Sequence, residues 1–186
     1  MCCSSNNLIG YHGTSRESAK AIVKTNCFHK SQQDNEWAGS GIYFFIDGYT
    51  CSSAANNASQ YATKVKRLCD VVVLKVDINT AGLRIFDLTN PYDQQKFTKC
   101  FELLWNEAFH RFGDVGLKAV KAYRHHVLEC RAINEICTCM GYEAVIRSDF
   151  INFNQTCNHS HPYSTIPNCT MFCLRSDKYI LNIDFL

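Results

Sequence analysis

The alternation of apolar and polar residues predicts strands and helices in mixed order along the chain. The clearest strand pattern covers residues 70–78, where a continuous apolar run gives way to alternation with charged residues. The β-branched and aromatic run at residues 41–46 predicts a second, buried strand. Further strands are expected at residues 8–12, 83–88, 142–147, 170–174 and 179–185.

Four segments carry apolar residues at helical spacing. In the first, Ala19, Ile22 and Val23 follow Ser15, a residue type that caps helix N-termini. The expected helices are residues 15–24, 53–68, 92–112 and 117–137, with a connector at residues 113–116 between the last two. The polar stretch at residues 152–168 predicts a long loop.

These strands and helices do not alternate regularly, which favours an α+β domain with a mixed, mainly antiparallel sheet. With 186 residues, of which 46% are hydrophobic, the chain can form one substantial core, so residues 1–186 are expected to form a single domain. A dinucleotide-binding Rossmann unit is not expected, because no G-x-G-x-x-G motif follows a first strand and opens a helix.

Charge and composition narrow the functional classes. A net charge of +2 is too small to indicate a nucleic-acid-binding protein by itself. No apolar run reaches the roughly 18 residues of a membrane span, and the N-terminus lacks the features of a signal peptide. A cytoplasmic protein without membrane contact is therefore expected, with most of its 12 cysteines as reduced, buried thiols.

Two glycine-bearing stretches predict the walls of one ligand cleft. They are YHGTS at residues 11–15, expected to end the first strand in a turn, and GSGIYFF at residues 39–45. Each places polar or aromatic residues beside glycines, where the missing Cβ permits close approach of a ligand or a positive φ.

In order and spacing, these stretches resemble the ADP-ribosyltransferase domain of the diphtheria-toxin and poly(ADP-ribose) polymerase type. The resemblance rests on the YHGT motif, on Phe28 and Ser31, and on GSGIYF followed by an alanine-rich helix. It covers the N-terminal third of the chain, and the remainder matches in strand order. It implies an ADP-ribosyltransferase-like fold of mixed, mainly antiparallel sheets flanked by helices, with NAD as co-substrate.

The resemblance also implies roles for individual residues. His12 corresponds to the histidine that hydrogen-bonds a ribose hydroxyl of NAD, and the backbone of Gly13 to the group that holds the nicotinamide amide. Tyr43 corresponds to the tyrosine that stacks on the nicotinamide ring, and Thr14 and Gly41 complete the motif around the cofactor.

A second stacking aromatic is usual in the family shortly after the first. The expected position falls near residues 51–54, which contain no aromatic residue. The substitute is therefore either Tyr49 or Tyr61.

The family's catalytic glutamate, expected at the start of a late strand, is not matched. Lys178 occupies its place before the strand at residues 179–185. The carboxylates left to support a cationic transition state are Asp177, one residue away, and Glu143 on another predicted strand. This departure favours mono-ADP-ribosylation over chain elongation.

The leading hypothesis is a mono-ADP-ribosyltransferase, a glycosyltransferase that passes ADP-ribose from NAD to a protein or nucleic-acid acceptor and releases nicotinamide. Its small size suits a toxin or effector. The first alternative is a catalytically inactive module that binds NAD or ADP-ribose, and NAD-dependent removal of a 2′-phosphate from RNA ranks lower. A zinc-stabilised interaction protein is a further alternative, although the irregular spacing of its candidate ligands favours no metal: Cys157, His159, His161, Cys169 and Cys173.

Overall fold

The architecture is that of a computed structural model, which describes residues 6–119, 125–153 and 166–186. Within these ranges seven strands form one sheet: β1 (Asn7–Ser15), β2 (Ile42–Phe45), β3 (Val71–Asn79), β4 (Ile85–Asp87), β5 (Ala144–Asp149), β6 (Cys169–Leu174) and β7 (Ile180–Phe185). Their order across the sheet is β4-β5-β6-β2-β1-β3-β7. All neighbours are antiparallel except β4 and β5, which confirms the predicted mixed, mainly antiparallel sheet.

Four helices occupy the described ranges. They are α1 (Arg16–Thr25), α2 (Ala54–Gln60), α3 (Pro91–Ala119) and α4 (His125–Met140). A π-helical turn, Tyr61–Val65, continues α2, and a 3-10 turn, Asp177–Tyr179, precedes β7. None of the helices in these ranges combines the length and the apolar character needed to cross a membrane.

Helix α1 begins and ends where its terminal residues satisfy the backbone. The side chain of Ser15 accepts a hydrogen bond from the backbone N–H of Ser18 at 3.2 Å, which confirms the predicted cap. The helix ends at Asn26, which adopts the left-handed conformation that asparagine tolerates.

Helices cover both faces of the sheet. On one face α1 contributes to a core with Phe44, Leu74 and Phe172 from the central strands. On the other face α2 packs near Phe45, and α4 packs near Cys173. Strand β2 therefore alternates, with Phe44 buried on one side of the sheet and Phe45 on the other.

The sheet is unevenly joined at its centre. Strand β1 pairs with β3 through nine residues, from Asn7 opposite Asn79 to Ser15 opposite Val71. It pairs with β2 at one residue, where Tyr11 lies opposite Phe45. We refer to this weakly paired β1–β2 boundary as the seam, and it divides β4-β5-β6-β2 from β1-β3-β7.

Three details of the sequence-based prediction are wrong. Residues 12 and 13 do not end the first strand in a turn, because β3 continues to pair with β1 as far as Ser15. The break predicted between two helices is present but shorter than residues 113–116: at Gly113, with a φ of 64°, helical geometry is lost and α3 divides into two helical stretches. The helix predicted at residues 53–68 changes to π-helical geometry at Tyr61.

Candidate ligand-binding cleft

A cleft of about 430 Å³ opens at the seam. This volume lies within the range of about 300 to 1,000 Å³ that is usual for small-molecule sites. Its strand wall is residues 11–14 of β1, and its loop wall is residues 31–41, which lead into β2. The remaining lining comes mainly from β2 and from the segment after α2, with single residues from β6 and from the chain before the loop wall. It includes His29, Tyr43, Phe44, Phe45, Tyr61, Lys66, Leu68 and Met171.

The cleft exists because β1 loses its β2 neighbour before it loses its β3 neighbour. Beyond Tyr11, registered pairing of β1 continues with β3 alone. Alternate residues of an antiparallel strand direct their N–H and C=O groups to opposite sides. Backbone groups of the strand wall are thus directed towards the cleft, where an amide-bearing ligand could pair with them.

The packing of α2 on β1 requires a glycine at position 13, whether or not a ligand is bound. A Cβ at this position would lie 2.0 Å from the carbonyl oxygen of Ala58 and 3.0 Å from the Cβ of Ala62. The missing side chain therefore lets α2 pack directly on β1. From the sequence, this glycine is expected to serve a turn or the approach of a ligand, and its contact with α2 is not predicted.

His12 connects the two sides of the seam. Its Nδ1 lies 2.8 Å from the backbone carbonyl oxygen of Tyr43. Because a carbonyl oxygen can only accept, Nδ1 must carry the hydrogen. Burial lowers the pKa of His12, and the bond to Tyr43 opposes this only in part. The ring is therefore neutral near pH 7, with Nε2 as an acceptor for a ligand hydroxyl.

The phenol of Tyr43 holds the loop wall. Its hydroxyl donates to the carbonyl oxygen of Gly39 at 2.5 Å and accepts from the N–H of Ala38 at 2.9 Å. Burial is the main cause that raises the pKa of Tyr43, so the hydroxyl stays protonated. Since the hydroxyl is occupied, the aromatic ring is the part of Tyr43 that a ligand can contact.

Tyr61 is the second aromatic residue of this region. Its ring centroid lies 5.8 Å from that of Phe45, and the Nζ of Lys66 lies 5.6 Å from the Tyr61 centroid. Tyr61 begins the π-helical turn, a feature found often at functional sites. Of the two alternatives left open by the sequence, Tyr61 lines the cleft, whereas Tyr49 is 47% exposed and does not.

Asn134 of α4 anchors the C-terminal part of the loop wall. Its Oδ1 accepts from the backbone N–H of Ser40 and from Nη1 of Arg175, each at 2.9 Å. Its Nδ2 donates to the hydroxyl of Ser40 at 3.2 Å. Asn134 is not predicted from the sequence, because its partner lies 94 residues away and no local motif connects them.

Arg147 of β5 anchors the middle of the loop wall. Its Nη1 donates to the carbonyl oxygen of Trp37 at 2.7 Å and lies 3.1 Å from a carboxylate oxygen of Glu129. Its Nη2 lies 2.9 Å from Asp149. Two carboxylates thus fix the guanidinium that holds the loop.

The two carboxylates predicted from the late part of the chain lie away from the cleft lining. Glu143 forms an ion pair with Lys178 at 2.9 Å and accepts a hydrogen bond from Tyr179. Asp177 lies in the 3-10 turn before β7, with its Oδ2 3.6 Å from the Sγ of Cys27. A catalytic role for either residue stays a prediction.

The strand that follows the 3-10 turn is at the far edge of the sheet. Strand β7 pairs with β3, whereas the late strand beside β2 is β6. Among the described residues that line the cleft, Glu36 supplies the one carboxylate, and it accepts a hydrogen bond from the hydroxyl of Ser31. Glu36 was not singled out from the sequence, because a glutamate in a polar loop carries no signal of its own.

The structure brings six predicted residues together at the cleft: His12, Gly13, Thr14, Gly41, Tyr43 and Tyr61. Of the five candidate metal ligands, those at positions 157, 159 and 161 lie outside the described residues. Cys169 and Cys173 are buried in β6, where burial raises the pKa of the Cys169 thiol to about 12. Within the described ranges, no group of three histidine, cysteine or acidic residues could hold a metal ion.

Part of the chain is similar to a known protein. No family profile matches the chain. A segment of 94 residues, 50% of this chain, is 30% identical to the uncharacterized protein MJ0359 of Methanocaldococcus jannaschii. The match covers 43% of that protein, so the chain spans less than half of its length.

Proposed function

We propose that this protein has an ADP-ribosyltransferase-like fold and binds NAD at the seam, where it transfers ADP-ribose to a macromolecular acceptor with release of nicotinamide. The observation that carries the proposal is the 2.8 Å hydrogen bond from His12 to the carbonyl of Tyr43. It places a neutral imidazole and an aromatic ring at one open seam. A ligand with both a ribose and a planar amide-bearing ring matches that pair of groups.

Four parts of NAD have a matching group in the cleft. A ribose hydroxyl donates to Nε2 of His12, and the nicotinamide ring lies against Tyr43 and Tyr61. The carboxamide pairs with backbone groups of the strand wall beside Gly13. Lys66, exposed at the cleft, is a suitable partner for the negatively charged diphosphate.

One observation favours a second candidate, a module that binds NAD or ADP-ribose without reaction. Glu143 and Asp177, the carboxylates predicted to support cleavage, do not line the cleft. The two functions differ in one product, because binding alone leaves the bond between ribose and nicotinamide intact.

The test measures NAD affinity and nicotinamide release for wild type, His12→Ala and His12→Asn. Asparagine can retain a donor near the position of Nδ1 and so keep the bond to Tyr43, but it lacks the Nε2 acceptor. We expect both variants to lose about 100-fold in nicotinamide release, comparable to the loss of one transition-state hydrogen bond. His110→Asn, an exposed change on α3, serves as the matched control and should behave as wild type.

The outcomes separate the candidates. Nicotinamide release that depends on His12 supports transfer, and NAD binding without release supports the binding module. A folded wild-type chain that neither binds nor cleaves NAD contradicts both.

A further inference from the structure

Glu36 lies in the cleft, where Glu143 or Asp177 was expected to support the cationic transition state. It lines the same cleft as His12, Tyr43 and Tyr61. Its carboxylate accepts from the hydroxyl of Ser31, a neutral group that leaves the negative charge uncancelled. Glu143, in contrast, is paired with the ammonium of Lys178.

The negative charge of Glu36 acts on both candidate stacking residues. Burial is the main cause that raises the pKa of Tyr43 and of Tyr61, and the charge of Glu36 raises each of them further. All three side chains line the same cleft. A cation that forms between those rings would be attracted by the same charge.

The backbone next to Glu36 is held firmly. The carbonyl of Trp37 accepts from Arg147 at 2.7 Å, and the N–H of Ala38 donates to the hydroxyl of Tyr43 at 2.9 Å. The residue that would stack on the leaving group thus also fixes the loop that carries the carboxylate. Electrostatic stabilisation of a transition state depends on this kind of preorganisation.

We propose that Glu36 is the catalytic carboxylate of this cleft, stabilising the ribose cation that forms as nicotinamide leaves. This role rests on the proposed function. The bond between C1′ of the ribose and the ring nitrogen of nicotinamide breaks, and its electron pair stays with that nitrogen, which becomes neutral. The positive charge passes to C1′ and the ring oxygen beside the carboxylate. The acceptor then bonds to C1′ and releases its proton to solvent.

The deciding experiment compares nicotinamide release and NAD affinity for wild type, Glu36→Gln, Glu36→Asp and Ser31→Ala. Glutamine keeps the shape and a hydrogen-bonding group but removes the charge. We expect Glu36→Gln to lower kcat about 100-fold with less than a threefold change in NAD affinity. Glu36→Asp, which retains the charge, should recover part of that loss. Glu135→Gln, on the exposed surface of α4, controls for the loss of a carboxylate elsewhere.

Other results overturn the assignment. Turnover by Glu36→Gln within threefold of wild type removes the catalytic role and leaves the proposed function standing. An equal kcat loss in Glu36→Gln and Ser31→Ala, with no recovery in Glu36→Asp, shows that Glu36 only ties the loop. A loss in Glu143→Gln or Asp177→Asn with Glu36→Gln active transfers the role to the late carboxylates. A wild type that does not cleave NAD contradicts the proposed function itself, and with it this role.

Discussion

The two walls of the cleft are held by different kinds of interaction. The strand wall is part of β1, which forms nine registered pairs with β3, and Gly13 of this wall contacts α2 directly. The loop wall has one isolated bridge of its own, between Ser31 and Gly41, and depends on side chains from distant elements. Asn134 and Arg147 supply three of these contacts.

Because of this difference, we expect defects in the strand wall to reduce the stability of the fold and defects in the loop wall to reduce ligand binding. A defect in the strand wall disturbs the central sheet and its helix, so its cost falls on the whole fold. A defect in the loop wall breaks a few polar contacts and leaves the sheet intact, so its cost should appear mainly as local mobility and weaker ligand binding. Three changes test this division.

The largest effect is expected for Gly13→Ala. The new Cβ would meet the carbonyl oxygen of Ala58 at 2.0 Å, and backbone cannot rotate away as a side chain can. Overpacking of this kind costs about 3 kcal/mol in the free energy of unfolding. Urea denaturation monitored by circular dichroism measures that loss.

Gly48→Ala is the control for this substitution. A Cβ at Gly48 meets no atom within 4 Å, although its φ of 99° strains an alanine. Its cost should be about 1 kcal/mol and come from the backbone alone. Equal losses in the two variants would show that α2 withdraws easily from β1 and that the strand wall is not rigidly packed.

A smaller effect on stability is expected for Asn134→Ala. The substitution removes the acceptor of the Ser40 N–H and of Arg175, which costs about 1 to 2 kcal/mol. The main consequence should be local, with faster hydrogen exchange at the Ser40 amide and weaker NAD binding. Mass spectrometry of exchange and calorimetry of binding measure the two effects.

Asn134→Asp is a second variant, because it keeps the acceptor and its charge is favourable beside Arg175, whereas it loses the Nδ2 donor to the Ser40 hydroxyl and to the Sγ of Cys130. It should retain most of the protection at Ser40. If Asn134→Ala instead accelerates exchange throughout β1 and β3, the two walls unfold together and the proposed division is wrong.

The two walls also differ in how far they can be predicted from sequence. The residues of the strand wall are contiguous in the sequence. A histidine and a glycine just before a helix cap can therefore be recognised as a motif within a few residues. The order of the strands across the sheet depends on contacts between residues that are far apart in the chain, and β6 and β7 are both short and largely apolar. A single sequence therefore does not show that β6, rather than β7, lies beside β2.

The side-chain contacts of the loop wall also join residues that are far apart in the chain, so they too cannot be predicted from a single sequence. Contacts such as those of Asn134 and Arg147 form only after α4 and β5 have packed, and neither residue type marks an anchor by itself. Glu36 is recognisable as a candidate only in the structure, where it lines the cleft together with His12 and Tyr43. The polar composition of its loop predicts exposure and does not predict that position.

The smallest effect is the pH dependence that His12 contributes, and it tests a side chain that bonds across the seam. Burial lowers the pKa of His12 below its ordinary value of 6.5. Between the lowered value and 6.5 the unfolded chain binds a proton that the folded chain does not, so the free energy of unfolding falls as the pH decreases through this window. The contribution of neutral His12 is complete above that range.

Urea unfolding at several pH values, compared between wild type and His12→Asn, isolates this titration from those of the other histidines. The difference between the two proteins should be constant above pH 6.5 and should shift against wild type below it, because asparagine does not titrate. A difference that stays constant at all pH values would show that His12 is solvated when folded. Protonation of His12 would then not destabilise the folded chain. The fold would therefore not keep Nε2 as the neutral acceptor that a ribose hydroxyl requires.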